Sequence, residues 1–186
     1  MQLKWKAGDK TSGTKSYISP KIKRGKSKYG DGLFAQEKIN KGELVVDFTT
    51  GPGTFMTMAE ADKLYEGGND YMLQIDDDLY FVATNNEELE DADYLNHSCD
   101  PNCGLHDTLK VVAMRDIEPG EEIAFDYAMT DSSNYQMKCE CGSPNCRKVI
   151  TGDDWKLPEL QKRYNGYFTE YLQEKIDKLN NQPKNA

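Results

Sequence analysis

Short stretches in which apolar and polar residues alternate fill most of the chain up to residue 127. They cover residues 33–39, 44–48, 71–75, 79–83, 109–114 and 122–127, are rich in β-branched and aromatic side chains, and have the period of half-buried strands. Between them stand Asn40-Lys41-Gly42, Asp76-Asp77-Asp78 and Glu118-Pro119-Gly120, whose residue types favour tight turns. With irregular spacing and no internal repeat, the pattern predicts a mainly β fold with short helices.

Two segments leave the two-residue period. Thr57-Met58-Ala59-Glu60 has the form of a capping box, Met58, Ala61, Leu64 and Tyr65 share one helical face, and Gly67-Gly68 follows, which predicts a helix of about ten residues. After Pro158, the residues Leu160, Tyr164, Tyr167, Phe168, Tyr171, Leu172, Ile176 and Leu179 recur at spacings of three and four. They predict one longer C-terminal helix, weakest at Gly166, whose stripe packs on the main domain. Residues 180–186 read as a frayed end.

The chain's 186 residues, 37% of them hydrophobic with 11 Tyr and 6 Phe, suit one folded core and exclude a disordered or collagen-like chain. No apolar run is long enough to cross a bilayer, and residues 1–10 lack the apolar part of a secretory signal. The expectation is an intracellular protein, cytoplasmic or nuclear, with no membrane partner. The 5 Cys all lie between Cys99 and Cys146. An odd, clustered set is a poor disulfide framework and points to metal or catalysis in a reducing compartment.

Charge adds an asymmetry. The net charge is −9, yet residues 1–28 carry nine Lys/Arg against Asp9 alone, leaving −17 on the rest. An acidic body argues against direct nucleic-acid binding and suits a basic protein or peptide, while the basic stretch reads as a solvated edge. Glu87, Glu88, Glu90, Asp91 and Asp93 form an acidic run that is either part of such a groove or a solvated loop.

Four segments carry candidate chemistry. Cys139-Glu-Cys141-Gly-Ser-Pro-Asn-Cys146 sets three thiols around a turn, so that they can converge on one tetrahedral ion, with zinc preferred; the fourth ligand is open among Cys99, Cys103, His97 and His106. The segment from Asp93 to Cys103, which contains Asn96-His97-Ser98-Cys99-Asp100-Pro101-Asn102, is polar and shows neither period. Gly30-Asp31-Gly32 enters a strand with two residues that permit close backbone approach. Gly120-Glu121-Glu122-Ile123-Ala124-Phe125-Asp126-Tyr127 is a turn into a strand with an aromatic end.

In this order the four pieces resemble the SET-domain family of S-adenosylmethionine-dependent protein-lysine methyltransferases, followed by the family's post-SET zinc segment, over about residues 17–150. The resemblance implies a SET-domain β fold with a pseudoknot, then a zinc-bound post-SET segment and a C-terminal helix. It divides the chain into an N-terminal extension (1–16), SET domain (17–128), zinc segment (135–151) and helical extension (153–182). It implies cofactor binding by Gly30, Asp31, Gly32, Tyr71, Asn96, His97 and Tyr127, and one structural Zn2+ on Cys99, Cys139, Cys141 and Cys146, with Cys103 spare. Tyr127 would be the catalytic hydroxyl, with Tyr71 and Phe125 as walls of a lysine channel; Phe125 leans toward di- or trimethylation. The implied partner is a basic, histone-like protein or peptide. A catalytically silent SET module that binds basic peptides and a small-molecule amine methyltransferase are the competing readings. Asp93-Tyr94-Leu95 departs from the family, placing an acid where a cation is usual.

Overall fold

The computed structural model describes residues 5–181; Lys4 of the basic stretch and residues 182–186 of the expected frayed end lie outside them. In chain order the first strands are β1 (Tyr17–Ile18), β2 (Ile22–Ser27), β3 (Gly30–Ala35), β4 (Leu44–Asp47) and β5 (Thr54–Met56), followed by helix α1 (Met58–Glu66). Next come β6 (Met72–Asp76), β7 (Leu79–Val82), β8 (Asn96–His97), β9 (Cys103–His106), β10 (Lys110–Ala113), β11 (Glu122–Phe125), β12 (Gln136–Lys138) and β13 (Val149–Thr151). Helices α2 (Pro158–Arg163) and α3 (Glu170–Asn180) end the described chain.

The strands form small sheets ordered β1-β4-β10-β9, β2-β3-β11-β8, β5-β7-β6 and β12-β13. All six alternating stretches contain a strand, and each contributes to the buried interior: Leu33, Ile75, Val111 and Ile123 are almost fully buried, the adjacent Val45 and Val46 are buried on both faces of β4, and β7 is buried at all four positions. α1 begins as its capping box requires, with Glu60 Oε2 accepting from the Thr57 N–H at 2.9 Å and its hydroxyl at 2.8 Å. Its Ala61 seals a satellite cluster with Met56, Tyr80 and Val82.

The single long C-terminal helix expected after Pro158 is two helices. Gly166 adopts φ +84°, a left-handed conformation that glycine tolerates and that ends a helix. The break lets the apolar stripe turn a corner: Leu160, Tyr164, Phe168, Tyr171, Leu172 and Ile176 all join the core of the sheets, whereas Leu179 is exposed.

β8 lies inside the segment that showed no strand period. It is two residues long and pairs in parallel with β11, Asn96 opposite Ala124 and His97 opposite Phe125, so no alternation was available to reveal it. This crossing brings the polar signature against the strand that leads to Tyr127. The basic stretch supplies β2 at a sheet edge. It is a largely exposed edge, as expected, on which Lys21 pairs with Glu43, Arg24 and Lys26 with Asp31, and Lys28 with Glu140.

Candidate active site and metal centre

The site lies where β8, β11 and the zinc segment meet. Tyr127 opens a 3-10 turn (Tyr127–Met129) directly after β11, with Asp126 capping it by accepting from the Ala128 N–H. Its ring lies 5.1 Å from His97 and 5.2 Å from Phe125, centroid to centroid. Tyr71, Phe125 and Tyr127 together line a cavity of about 590 Å3, with Tyr80, Asp93 and Tyr135 also on its wall. Burial, then the charge of Asp70, raises the Tyr127 phenol above its ordinary value, so it stays protonated at neutral pH. Its hydroxyl makes no hydrogen bond among the described residues and is free for a ligand.

The other predicted cofactor residues gather around the β2–β3 hairpin and β8 and do not line this cavity. The Asn96 amide donates to the Asp31 carbonyl at 3.1 Å and to Glu122 Oε1 at 2.7 Å. Gly32 makes this packing possible: a Cβ there would stand 2.6 Å from Glu122 Oε1 and 2.8 Å from Asn96 Nδ2. The Asn96 side-chain oxygen Oδ1 makes no hydrogen bond among the described residues and stands as an open acceptor beside the glycine backbone. The Asp31 carboxylate, in contrast, is held by Lys26 and Arg24.

His97 is buried with both ring nitrogens engaged. Nδ1 accepts from the Tyr127 N–H at 3.3 Å, so the neutral ring carries its proton on Nε2, which faces Cys99 Sγ at 3.3 Å. Burial lowers its pKa to about 4, which keeps the ring neutral. Both ring nitrogens are thus spent within the protein, and the side chain joins the Tyr127 backbone to the cysteine cluster.

The sulfur atoms of Cys99, Cys139, Cys141 and Cys146 all lie within 4.8 Å of one another. Four zinc–sulfur bonds of about 2.3 Å give tetrahedral S···S edges of about 3.8 Å; the Cys99–Cys139 and Cys139–Cys146 separations are both 3.8 Å. Burial pushes the Cys99 and Cys139 thiols up, and a divalent cation is what would convert them to thiolates. The His97 ring and the Arg147 N–H, 3.4 Å away, both face Cys99 Sγ, as donors to a metal-bound thiolate do. The four residues fit one zinc ion. Cys103, buried in β9, lies outside this set.

Asp93, the residue that departs from the family, accepts from the Glu90 N–H at 2.7 Å and reaches the cavity wall. A cation stands nearby from another strand: the Arg24 guanidinium lies 3.8 Å over the Tyr94 ring and pairs with Asp31 and Asp91. The acidic run is partly internal scaffolding, since Glu88 accepts from Thr84 and Glu90 from the Ser16 N–H. Burial lifts the Asp93 carboxyl to about 6 from an ordinary 3.8. A raised folded-state value contributes stability that is complete below about pH 4 and lost as pH climbs through 6. Asp93→Asn keeps an acceptor without the buried charge. It is expected to gain up to about 3 kcal/mol over the wild type at pH 7.5 and little at pH 4. Equal differences in urea midpoint at both pH values would show an ordinary carboxyl.

Sequence reasoning did not find Asp126, Arg147 or Tyr164. Asp126 is fully buried and accepts two hydrogen bonds from Arg147, at 2.6 and 2.8 Å, and one from the Tyr164 hydroxyl at 2.9 Å. The available signal was position: Asp126 directly precedes Tyr127, and Arg147 directly follows Cys146.

The sequence model of the SET domain matches residues 30–128. A histone-lysine N-methyltransferase of Schizosaccharomyces pombe described as H3 lysine-4 specific is 35% identical over 132 residues, covering 64% of this chain and 14% of the relative. Histone-lysine N-methyltransferase set1 of Dictyostelium discoideum is 34% identical over 129 residues, covering 64% and 8%. Histone-lysine N-methyltransferase TRX1 of rice (Oryza sativa subsp. japonica) is 30% identical over 157 residues, covering 76% and 15%. Among solved structures, the crystal structure of KRYPTONITE in complex with mCHG DNA and SAH matches with a TM-score of 0.53 and 25% identity, over 71% of this chain and 29% of that one.

This chain belongs to the SET-domain family. It spans no more than 15% of the length of those three relatives. Because the KRYPTONITE complex contains DNA, the expectation of no nucleic-acid partner draws no support from the comparisons. No helix among the described residues is long and apolar enough to cross a membrane.

Proposed function

We propose that the chain is an S-adenosylmethionine-dependent protein-lysine N-methyltransferase acting on a basic protein, with histone tails the first substrates to test because the relatives are named for histone lysine. The observation that carries this reading is Tyr127: a protonated hydroxyl without a protein partner, in an aromatic cavity, beside the strand crossing that brings Asn96 and His97 alongside. The proposed cofactor set is Gly30, Asp31 and Gly32 through their backbone, Asn96 and His97, with Tyr71 and Tyr127 at the reacting end. The proposed zinc ligands are Cys99, Cys139, Cys141 and Cys146. The proposed units are a SET domain over 17–128, a zinc segment over 135–151, an extension before them and helices after them.

When bound, S-adenosylmethionine supplies an electrophilic methyl group on a sulfonium. The protein must deliver a lysine amine that is unprotonated and in line with it. In water, deprotonating a lysine of pKa near 10.4 at pH 7 costs about 4.6 kcal/mol. The aromatic rings of Tyr71, Phe125 and Tyr127 replace water around the amine and so disfavour the ammonium. The Tyr127 hydroxyl, held neutral by burial, can orient the amine without serving as a phenolate base. The neutral His97 ring fixes the Tyr127 backbone.

Incubation with S-adenosylmethionine carrying a labelled methyl group, against histones and other basic proteins, tests the reading by gel and mass spectrometry. A labelled lysine supports it. Tight cofactor binding with no label on any protein, alongside capture of basic peptides, would favour a silent SET module, and labelling of free amines alone would favour a small-molecule enzyme. Phe125→Tyr adds a hydroxyl to the channel wall, which narrows the space for a methylated amine. Its product is expected to shift toward monomethyl-lysine in the mass spectrum; an unchanged product ratio would remove Phe125 from the wall beside the amine.

A further inference from the structure

The turn that presents Tyr127 is held largely by residues outside the matched SET segment. Asp126, fully buried and immediately before Tyr127, caps the turn through the Ala128 N–H at 3.1 Å. Its carboxylate also accepts the bidentate Arg147 pair and the Tyr164 hydroxyl. A buried carboxylate with this many donors has a single favourable orientation, because any rotation leaves charge or a donor unpaired. The donors come from two sides. Arg147 follows the last zinc-segment cysteine and is itself anchored by Asp154 at 2.7 Å. Tyr164 closes α2, is fully buried, and also reaches the Cys99 carbonyl at 3.4 Å.

The far end of the turn is tied to the same C-terminal region. The Met129 carbonyl accepts from the Thr169 N–H at 2.9 Å, and the Thr130 carbonyl accepts from the Tyr171 hydroxyl. Residues 164–171 thus grip both ends of a turn whose first residue is Tyr127.

We propose that Tyr164 is a positioning residue for Tyr127, acting through the Asp126 carboxylate, and that Arg147 shares this role from the zinc-segment side. The helical extension is then part of the catalytic apparatus and not an appended support. This rests on the catalytic reading of Tyr127 above. A displacement of about 1 Å in a reacting group, caused by a change remote from the chemistry, costs about a hundredfold in rate. Loss of one of four carboxylate donors should move Tyr127 by less than that.

Tyr164→Phe removes the hydroxyl and keeps the buried ring. It is expected to lower kcat about tenfold, with KM for protein substrate and the cofactor dissociation constant within about twofold of wild type. Placed on Tyr127→Phe, it should cause little further loss, because both changes act through one group. A second measurement needs no turnover. With 13C-labelled tyrosine rings, the Tyr127 resonance, assigned by its disappearance in Tyr127→Phe, should shift in Tyr164→Phe in the absence of cofactor and substrate. Should Tyr164→Phe fail to fold, Arg147→Lys, which keeps the charge and loses the fork, is read in the same ways. A fall in melting temperature with kcat unchanged, or losses that add in the double variant, would overturn the proposal. If the wild type transfers no methyl group, the functional reading fails, while an unmoved Tyr127 resonance would separately refute the positioning.

Discussion

Tyr127→Phe is expected to lower methyl transfer at least about a hundredfold, ~2.7 kcal/mol in the transition state, and to leave cofactor affinity within about threefold of wild type. The change deletes one oxygen. The ring contacts with His97 and Phe125 remain, and no hydrogen bond within the described residues is lost, so melting temperature should barely move. On the function proposed above, only an interaction made to the reacting groups is removed, which puts the loss in kcat. The pH dependence adds a second check. The buried phenol is raised above its ordinary value, so the rise in rate with pH should follow deprotonation of the substrate lysine and persist in the residual activity of the variant. Single-turnover rates and calorimetric cofactor titration read both parts. Activity within threefold of wild type would show that the hydroxyl does not touch the reaction.

The strands that could be read from sequence were short β-branched or aromatic stretches bounded by turn residues, some buried on both faces. Val45, Ile75, Val111 and Ile123 stand in such stretches, and Thr57 with Glu60 advertises the start of α1. Elements stabilised by partners distant in sequence carried no such mark. β8 exists because β11 lies beside it, and Gly166 breaks a regular apolar stripe so that Tyr164 and Tyr171 can reach the Tyr127 turn from different directions. At the site, chemistry-bearing residue types were legible because they were grouped by motif: the cysteines, the Asn96-His97 pair, the two glycines and the terminal Tyr127. Their supports were not. Arg24 on Tyr94, and Arg147 and Tyr164 on Asp126, are contacts between residues 21 to 70 positions apart, and an ordinary Asp, Arg or Tyr gives no sign of a partner so far away. The acidic run shows the opposite error of scale: a charge pattern that suggests a surface consists partly of carboxylates that bind backbone, locally for Glu88 and Asp93 and across 74 positions for Glu90.

The metal centre yields the largest expected loss of stability. Purified protein should contain about one zinc per chain, and strong chelators or Cys139→Ser should lower the melting temperature by about 10 °C or more, since a structural zinc contributes its binding energy directly to folding. The effect should extend to the chemistry for a structural reason. Cys139 directly follows β12 and Cys146 precedes β13, so the ion would clamp the connecting loop of that hairpin to Cys99 on the SET segment. Tyr135, Gln136 and Met137, just before the clamp, line the same cavity as Tyr127, and Tyr127 and Tyr135 pack against the cysteine cluster itself. Releasing the clamp should loosen this wall of the cavity and the hold of Arg147 on Asp126. Chelation should therefore abolish turnover at temperatures where the β sheets still give a folded circular dichroism spectrum, and added zinc should restore it. Elemental analysis finding no zinc in freshly prepared protein, or full activity after its removal, would show that the four thiols hold the fold by packing alone.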